Sequence, residues 1–195
     1  MSRVREPHRI VLIRHGETAW SANRRHTGRS DIPLDAGGRA SAAAVADLLR
    51  GWHFALVLSS PLSRAWDTAR LAGLDPVPDD DLLEWDYGVY EGLATEEIRT
   101  AIPGWSVWTH DVIGGESVDQ VGARADRVIE RALRADGDAV LVAHAHFLRV
   151  LAMRWIGLPA AQGRHLTLDT GSMSVLGWER ETKVIRNWNV RQRAM

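Results

Sequence analysis

Two arginines, two histidines and a glutamate have the chemistry to handle a phosphoryl group: Arg14, His15, Arg64, Glu84 and His144. A phosphate needs fixed cations and donors around it. Guanidinium groups match its oxygens two at a time, and Arg14 and Arg64 can supply them. A neutral imidazole can attack phosphorus, form a phosphohistidine and split the transfer into two steps. His15, adjacent to Arg14, is the expected nucleophile, its other ring nitrogen donating to a backbone carbonyl and so fixing the tautomer. His144 would donate to a phosphoryl oxygen as charge develops there. Glu84, flanked by Leu82, Leu83 and Trp85, would protonate the leaving alkoxide and later accept a proton from attacking water. Taken alone, Arg14-His15 has a second reading, a strand that ends in a solvated charged loop.

These groups need elements that bring them to one edge. Ile10 to Ile13 are apolar and run straight into Arg14-His15-Gly16. Such a run reads as a buried strand of a parallel sheet, and ligands sit off the carboxyl ends of such strands. Gly16 would let the backbone approach a ligand closely. A long polar loop follows over 19–34, then a helix over 36–50 with Asp35 as N-cap. A strand over 54–58 leads to a helix reaching about residue 71. Ser60 is its expected N-cap and Pro61 its first residue, with Arg64 in the first turn. That helix N-terminus would add backbone donors for an anion. The pattern then predicts a short strand near Val77, an ordered loop over 82–93 and a short helix over 95–101. An irregular stretch over 103–115 precedes an amphipathic helix over 117–135. A buried strand over 139–143 is followed by a helix over 147–156, and two late strands cover 172–178 and 183–188. Residues 1–8 and 189–195 read as flexible ends. Strands alternating with helices predict one domain over 1–195, a three-layer α/β/α sandwich with a mainly parallel sheet.

Composition narrows the function classes. The chain has 195 residues, 45% hydrophobic and 25% charged, with formal net charge -1. That charge gives no reason to expect a nucleic-acid or anionic-membrane partner. There is no cysteine, so disulfides, thiolate catalysis and cysteine metal sites are excluded. Lys183 is the only lysine. No apolar run approaches the ~18 residues of a membrane span, and the polar N-terminus lacks a secretion-signal core, so a cytoplasmic location is the default expectation. His144 and His146 could form a metal pair, but no carboxylate lies near them in sequence, and His146 reads better as part of the next helix. His8, His26, His53, His110 and His165 read as surface or loop residues, with His26 the best placed for a pocket edge. Trp85, Trp105 and Trp108 either line the mouth of the site or fill core or a subunit contact. Glu116 and Ser117 begin a helix and read first as a cap.

The motifs L-I-R-H-G-E-T at 12–18, H-T-G with D-I-P-L at 26–34 and S-S-P-L-S-R-A-W-D-T-A at 59–69 resemble the histidine phosphatase superfamily. So do E-W-D-Y-G-V-Y-E-G at 84–92, G-G-E-S at 114–117 and V-A-H-A-H at 142–146. That superfamily includes phosphoglycerate mutases and many phosphatases. The resemblance implies a phosphoglycerate mutase-like fold, His15 as the phosphorylated nucleophile, a phosphate pocket of Arg14, Arg64 and His144, and Glu84 as proton donor. It implies no metal and no organic cofactor. The family is often dimeric, although no symmetric patch is legible here. Two departures stand out. Ala143-His144-Ala145 replaces the frequent Ser-His-Gly, and Ala145 would crowd the loop if a positive φ were needed. Trp20-Ser21 replaces the frequent Trp-Asn, so a phosphate-contacting amide becomes a shorter hydroxyl at Ser21 or is lost, with Thr27 and the Gly28 backbone left to contribute.

Related mutases continue after Gly92-Leu93 with Asn-Lys and later place paired arginines. Here Ala94-Thr95 follows and no paired arginine comes after it. Hydrolysis of a small-molecule phosphate ester is therefore the expected reaction. The later motifs resemble a bacterial acid phosphatase branch and sugar-bisphosphatases acting on sedoheptulose 1,7-bisphosphate. Phosphoglycerate mutase and an inactive phospho-ligand binding module are the remaining alternatives, and turnover separates the second of these.

Overall fold

The computed structural model describes residues 8–192. In chain order the strands are β1 Ile10–Arg14, β2 Phe54–Ser59, β3 Val77–Pro78, β4 Asp138–Ala143, β5 Met173–Glu179 and β6 Thr182–Val190. The helices are α1 Ala19–Ala22, α2 Ala36–Leu48, α3 Ser63–Leu71, α4 Thr95–Ala101, α5 Val118–Leu133 and α6 Ala145–Trp155. Short 3₁₀ turns cover Asp80–Leu82, Gly88–Tyr90 and Ala160–His165. The sheet runs β3-β2-β4-β1-β5-β6. Its first four strands are mutually parallel, and β5 and β6 are antiparallel additions. The expected three layers and mainly parallel sheet are what forms.

Strand alternation explains the layers. Ile10 and Leu12 of β1 join one core with Leu141 of β4 and the apolar faces of α5 and α6. Val11 and Ile13 join a second core with Val140, Val142 and residues of α2 and α3. Successive side chains of a strand point to opposite faces, so a continuous apolar run is what a strand covered on both sides requires. In α5, Val121, Ala125, Val128, Ile129 and Ala132 are buried at helical spacing. The Ser117 side chain accepts from the Gln120 N–H, and the Gln120 side chain accepts from the Ser117 N–H, closing a capping box. No helix among the described residues is long and apolar enough to cross a membrane.

Several local expectations are corrected. Helix α3 begins at Ser63, with Leu62 rather than Ser60 at its cap. Ser63 N and Oγ both donate to Asp31 Oδ1 at 2.8 Å, so this helix start is already occupied by a carboxylate. Helix α6 begins at Ala145, two residues earlier than expected, and so takes in His146. Asn189 and Val190 belong to the end of β6 rather than to the expected tail; of the two expected flexible ends, residues 1–7 and 193–195 lie outside the described residues. Gly16 serves a different close approach from the one expected. A Cβ on it would meet Gly38 O at 2.2 Å, and a Cβ on Gly38 would meet Glu17 O at 2.0 Å. Two glycines thus let α2 dock against the turn after β1.

Candidate active site

Sheet register brings the two histidines together. Arg14 of β1 pairs with Ala143 of β4 in parallel register, so the next residues on the two strands, His15 and His144, leave side by side. His15 N donates to Ala143 O at 3.0 Å, and the two ring centroids are 5.1 Å apart. On the other side of β4, Ser60 N donates to Val142 O at 2.9 Å, which places Ser60 beside His144. These positions lie at the carboxyl ends of the parallel strands, where α/β sheets bind ligands.

Hydrogen bonds fix both tautomers. His15 Nδ1 lies 2.6 Å from Gly16 O. A carbonyl only accepts, so Nδ1 carries the proton and Nε2 keeps its lone pair. In His144 the pattern is reversed. Arg64 Nε donates to Nδ1 at 3.2 Å, so the proton is on Nε2, which donates to Ser60 Oγ at 2.8 Å. Arg64 also donates to Ser30 O, Thr27 O and Gly28 O. Four bonds therefore use most of its five N–H groups, and it locks the 27–30 loop. Arg14 is the open cation. One terminal nitrogen donates to Leu168 O, while its buried Nε has no partner among the described residues.

Glu84 is held by the start of α6. Its Oε1 accepts from Trp85 N and Phe147 N at 2.9 Å, and its Oε2 accepts from His146 N at 3.1 Å. Oε2, with one donor, is the freer oxygen. It is thus the α6 N-terminus, not that of α3, that is built into the site. Arg124 holds the loop carrying Glu84 by donating to Asp81 O, Leu83 O and Glu84 O. It also forms a two-pronged pair with Glu116, at 2.7 and 2.8 Å. Burial alone would raise the Glu116 carboxyl, but the Arg124 hydrogen bond and charge hold it below its usual range. Replacing Arg124 by Met takes its donor from three carbonyls and leaves Glu116 with only Asp86 N and Arg29 as donors. The expected loss is about 2–3 kcal/mol, read as a lower urea midpoint together with slower turnover.

A cavity of about 260 Å³ opens over these groups, lined by Arg14, His15, Glu84, His26, Tyr87 and His146, with Ser21, Arg24, Arg25, Thr27 and Ala145 completing it. Among the expected site residues, Arg64 and His144 are fully buried and Gly28 is buried too, behind this wall rather than on it. Ser21 lines the cavity, but its hydroxyl is committed: it accepts from Thr18 N and donates to Thr18 O, capping α1. Gly28 N donates to Glu91 Oε1, so this backbone donor is not offered to a ligand. Thr27 Oγ1 donates to Arg25 O. Ala145 is the first residue of α6 and is not among the positive-φ positions, so the methyl group brings no backbone strain.

His26 lies on the cavity wall as anticipated, while His53, His110 and His165 are exposed. His144 and His146 bond to different partners, Ser60 and Tyr87, rather than converging. Trp85 and Trp105 are core residues, and Trp108 packs against that core. The sequence reading missed Ser60, Tyr87, His146 and Arg124. Arg124 was detectable as a charge on the apolar stripe of α5, three residues after Val121 and four before Val128.

Burial and the neighbouring Arg14 and Arg64 hold His15 well below the usual histidine range. Burial and Arg64 do the same for His144, and burial and Arg149 for His146. An unfolded histidine takes up its proton near pH 6.5. Below that pH the unfolded chain binds more protons than the folded one, so stability falls as pH falls. The expected loss between about pH 6.5 and 5.5 is roughly 1 kcal/mol for each of these histidines. Urea midpoints across that range measure it, and a flat profile would contradict neutral buried imidazoles.

Comparison with known proteins identifies the family. The family model described as "Histidine phosphatase superfamily (branch 1)" matches residues 10–191. An acid phosphatase of Mycobacterium tuberculosis (strain ATCC 25618 / H37Rv) is 45% identical over 177 residues, covering 88% of this chain and 87% of that one. A probable phosphoglycerate mutase, GpmB, of Enterobacter sp. (strain 638) is 32% identical over 193 residues, covering 93% of this chain and 90% of that one. The solved structure of the open reading frame Rv3214 from Mycobacterium tuberculosis superposes with a TM-score of 0.90 at 41% identity, covering 94% of this chain and 98% of that one. With the family model matched over nearly the whole chain and the paired histidines at adjacent strand ends, the chain belongs to branch 1 of the histidine phosphatase superfamily.

Proposed function

We propose that the chain is a metal-independent phosphomonoesterase that hydrolyses small phosphate monoesters through a phosphohistidine at His15. The observation that carries this is an open nucleophile beside an open cation. His15 is locked with Nε2 unprotonated, and the adjacent Arg14 has a buried charged N–H without a partner. A buried unpaired donor of this kind is costly unless an anion completes it.

In the first step His15 Nε2 attacks phosphorus, the P–O bond to the alcohol breaks, and protonated Glu84 gives its proton to the leaving alkoxide. Nδ1–H stays on Gly16 O throughout. In the second step Glu84 takes a proton from water, the water oxygen attacks phosphorus, and the N–P bond breaks to return neutral His15 and inorganic phosphate. Arg14 holds phosphoryl oxygens. His144 Nε2–H exchanges Ser60 for a phosphoryl oxygen as acceptor, and Arg64 keeps it in the tautomer that can donate. Hydrolysis is favoured over transfer to a second hydroxyl because Ala94 and Thr95, where related mutases carry Asn-Lys, here form only the capped start of α4.

Phosphate release with chelator present, from p-nitrophenyl phosphate, sedoheptulose 1,7-bisphosphate, fructose 1,6-bisphosphate and 3-phosphoglycerate, tests this reading. Release that persists, with an acid-labile phosphoryl group trapped on the protein, is the expected result. Interconversion of phosphoglycerates without net release would favour a mutase. Ligand binding without any turnover would favour a binding module.

A further inference from the structure

Two imidazoles on the cavity wall are not used by the chemistry above. His26 and His146 lie nearly parallel, at 8°, with 6.2 Å between ring centroids. His26 Nδ1 is 2.8 Å from Leu93 O. The carbonyl can only accept, so Nδ1 holds the proton and Nε2 is an acceptor. His146 Nδ1 is 2.5 Å from the Tyr87 hydroxyl. That phenol is buried, and His146 is the one partner its hydroxyl has among the described residues. Within the protein that phenol can give its proton only to Nδ1, and with this assignment the histidine proton is on Nε2, which makes that atom a donor. Neither Nε2 is among the buried atoms left without a partner, and both residues line the cavity.

One wall of the site thus offers an acceptor and a donor side by side. A hydroxyl is the group that satisfies both at once, donating to one and accepting from the other. Two hydrogen bonds through one oxygen hold their nitrogens about 4.5–5 Å apart, within reach of two rings whose centroids are 6.2 Å apart. An alkyl or aryl group in the same place would leave both nitrogens dry and unpaired. We propose that His26 and His146 form a hydroxyl-binding subsite, so that the preferred substrate is the phosphate ester of a polyol. This rests on the phosphomonoesterase reading and narrows its substrate class. Tyr87 acts as a positioning residue that sets the His146 tautomer.

The test compares glycerol 1-phosphate with propyl phosphate, which share a carbon chain and differ in hydroxyls. The wild-type kcat/KM ratio is expected to favour the glycerol ester by at least about tenfold, since sites built to bond a hydroxyl reject analogues that lack it. His146→Phe and His26→Phe should each bring that ratio down about tenfold towards one. Tyr87→Phe, which leaves His146 in place but frees its tautomer, should lower the ratio by a smaller factor. A wild-type ratio near one, with p-nitrophenyl phosphate still turned over, overturns the subsite alone, and this arm needs no variant to fold. A ratio that survives in both histidine variants overturns it as well. No turnover of any ester overturns the phosphomonoesterase reading beneath it.

Discussion

His15→Ala is expected to lower phosphate release by about 10⁴-fold or more, because losing a covalent nucleophile removes both steps and not one contact. The phosphoryl group trapped on the wild-type protein should be absent from the variant. Folding should survive, since the backbone bonds of this position do not use the imidazole: His15 N donates to Ala143 O and His15 O accepts from Gly171 N. The variant has an internal check. Removing one buried neutral histidine removes one group that favours unfolding in acid, so the urea midpoint should fall less steeply below pH 6.5 than in wild type. A variant that folds and still releases phosphate at a tenth of the wild-type rate or more would remove His15 from the nucleophile's role.

Glu84→Gln carries the second large effect. General acid catalysis contributes about 10²–10⁴-fold, but only where the leaving group needs a proton. Alkyl phosphates should therefore lose about 10²-fold or more in kcat. p-Nitrophenyl phosphate, whose phenolate leaves unaided, should lose about tenfold or less. This contrast separates proton transfer from mere misplacement. The Glu84 carboxylate accepts three backbone N–H groups at the loop and α6, and the amide of glutamine would turn N–H donors against one of them. Disruption of that contact would slow both substrates alike. Equal losses would assign Glu84 a structural part and leave the proton donor to another group.

The two experiments bear on different halves of the site. His15 and Arg14 come from the end of β1, while Glu84 comes from a loop held by Arg124 of α5 and by the start of α6. The loop over 84–92 has neither helical nor strand period, yet Trp85, Tyr87 and Tyr90 anchor it in the core. Its order comes from packing and from the buried arginine rather than from local propensity. Arg124→Met therefore tests whether that support reaches the chemistry.

What the sequence by itself determined was whatever depends on neighbours along the chain. The apolar run before Arg14, the helical spacing in α5 and the Ser117 cap are local patterns, and they formed where expected. Candidates for the reactive groups could be named for the same reason, since a strand end followed by Arg14-His15 carries suitable residue types. The α3 cap was misjudged because Ser60-Pro61 carries a strong local signal, but Ser60 instead meets His144 from the end of the neighbouring strand β2.

Only the tertiary structure decided which nitrogen is free, which helix start faces the cavity and which residues form its wall. Those outcomes depend on partners distant in sequence. Arg64 sets the His144 tautomer from 80 residues away, and Phe147 N reaches Glu84 across 63. A hydrogen bond of a few ångströms between such groups is settled by sheet register and by docking of whole helices. No period or propensity of a single segment records it.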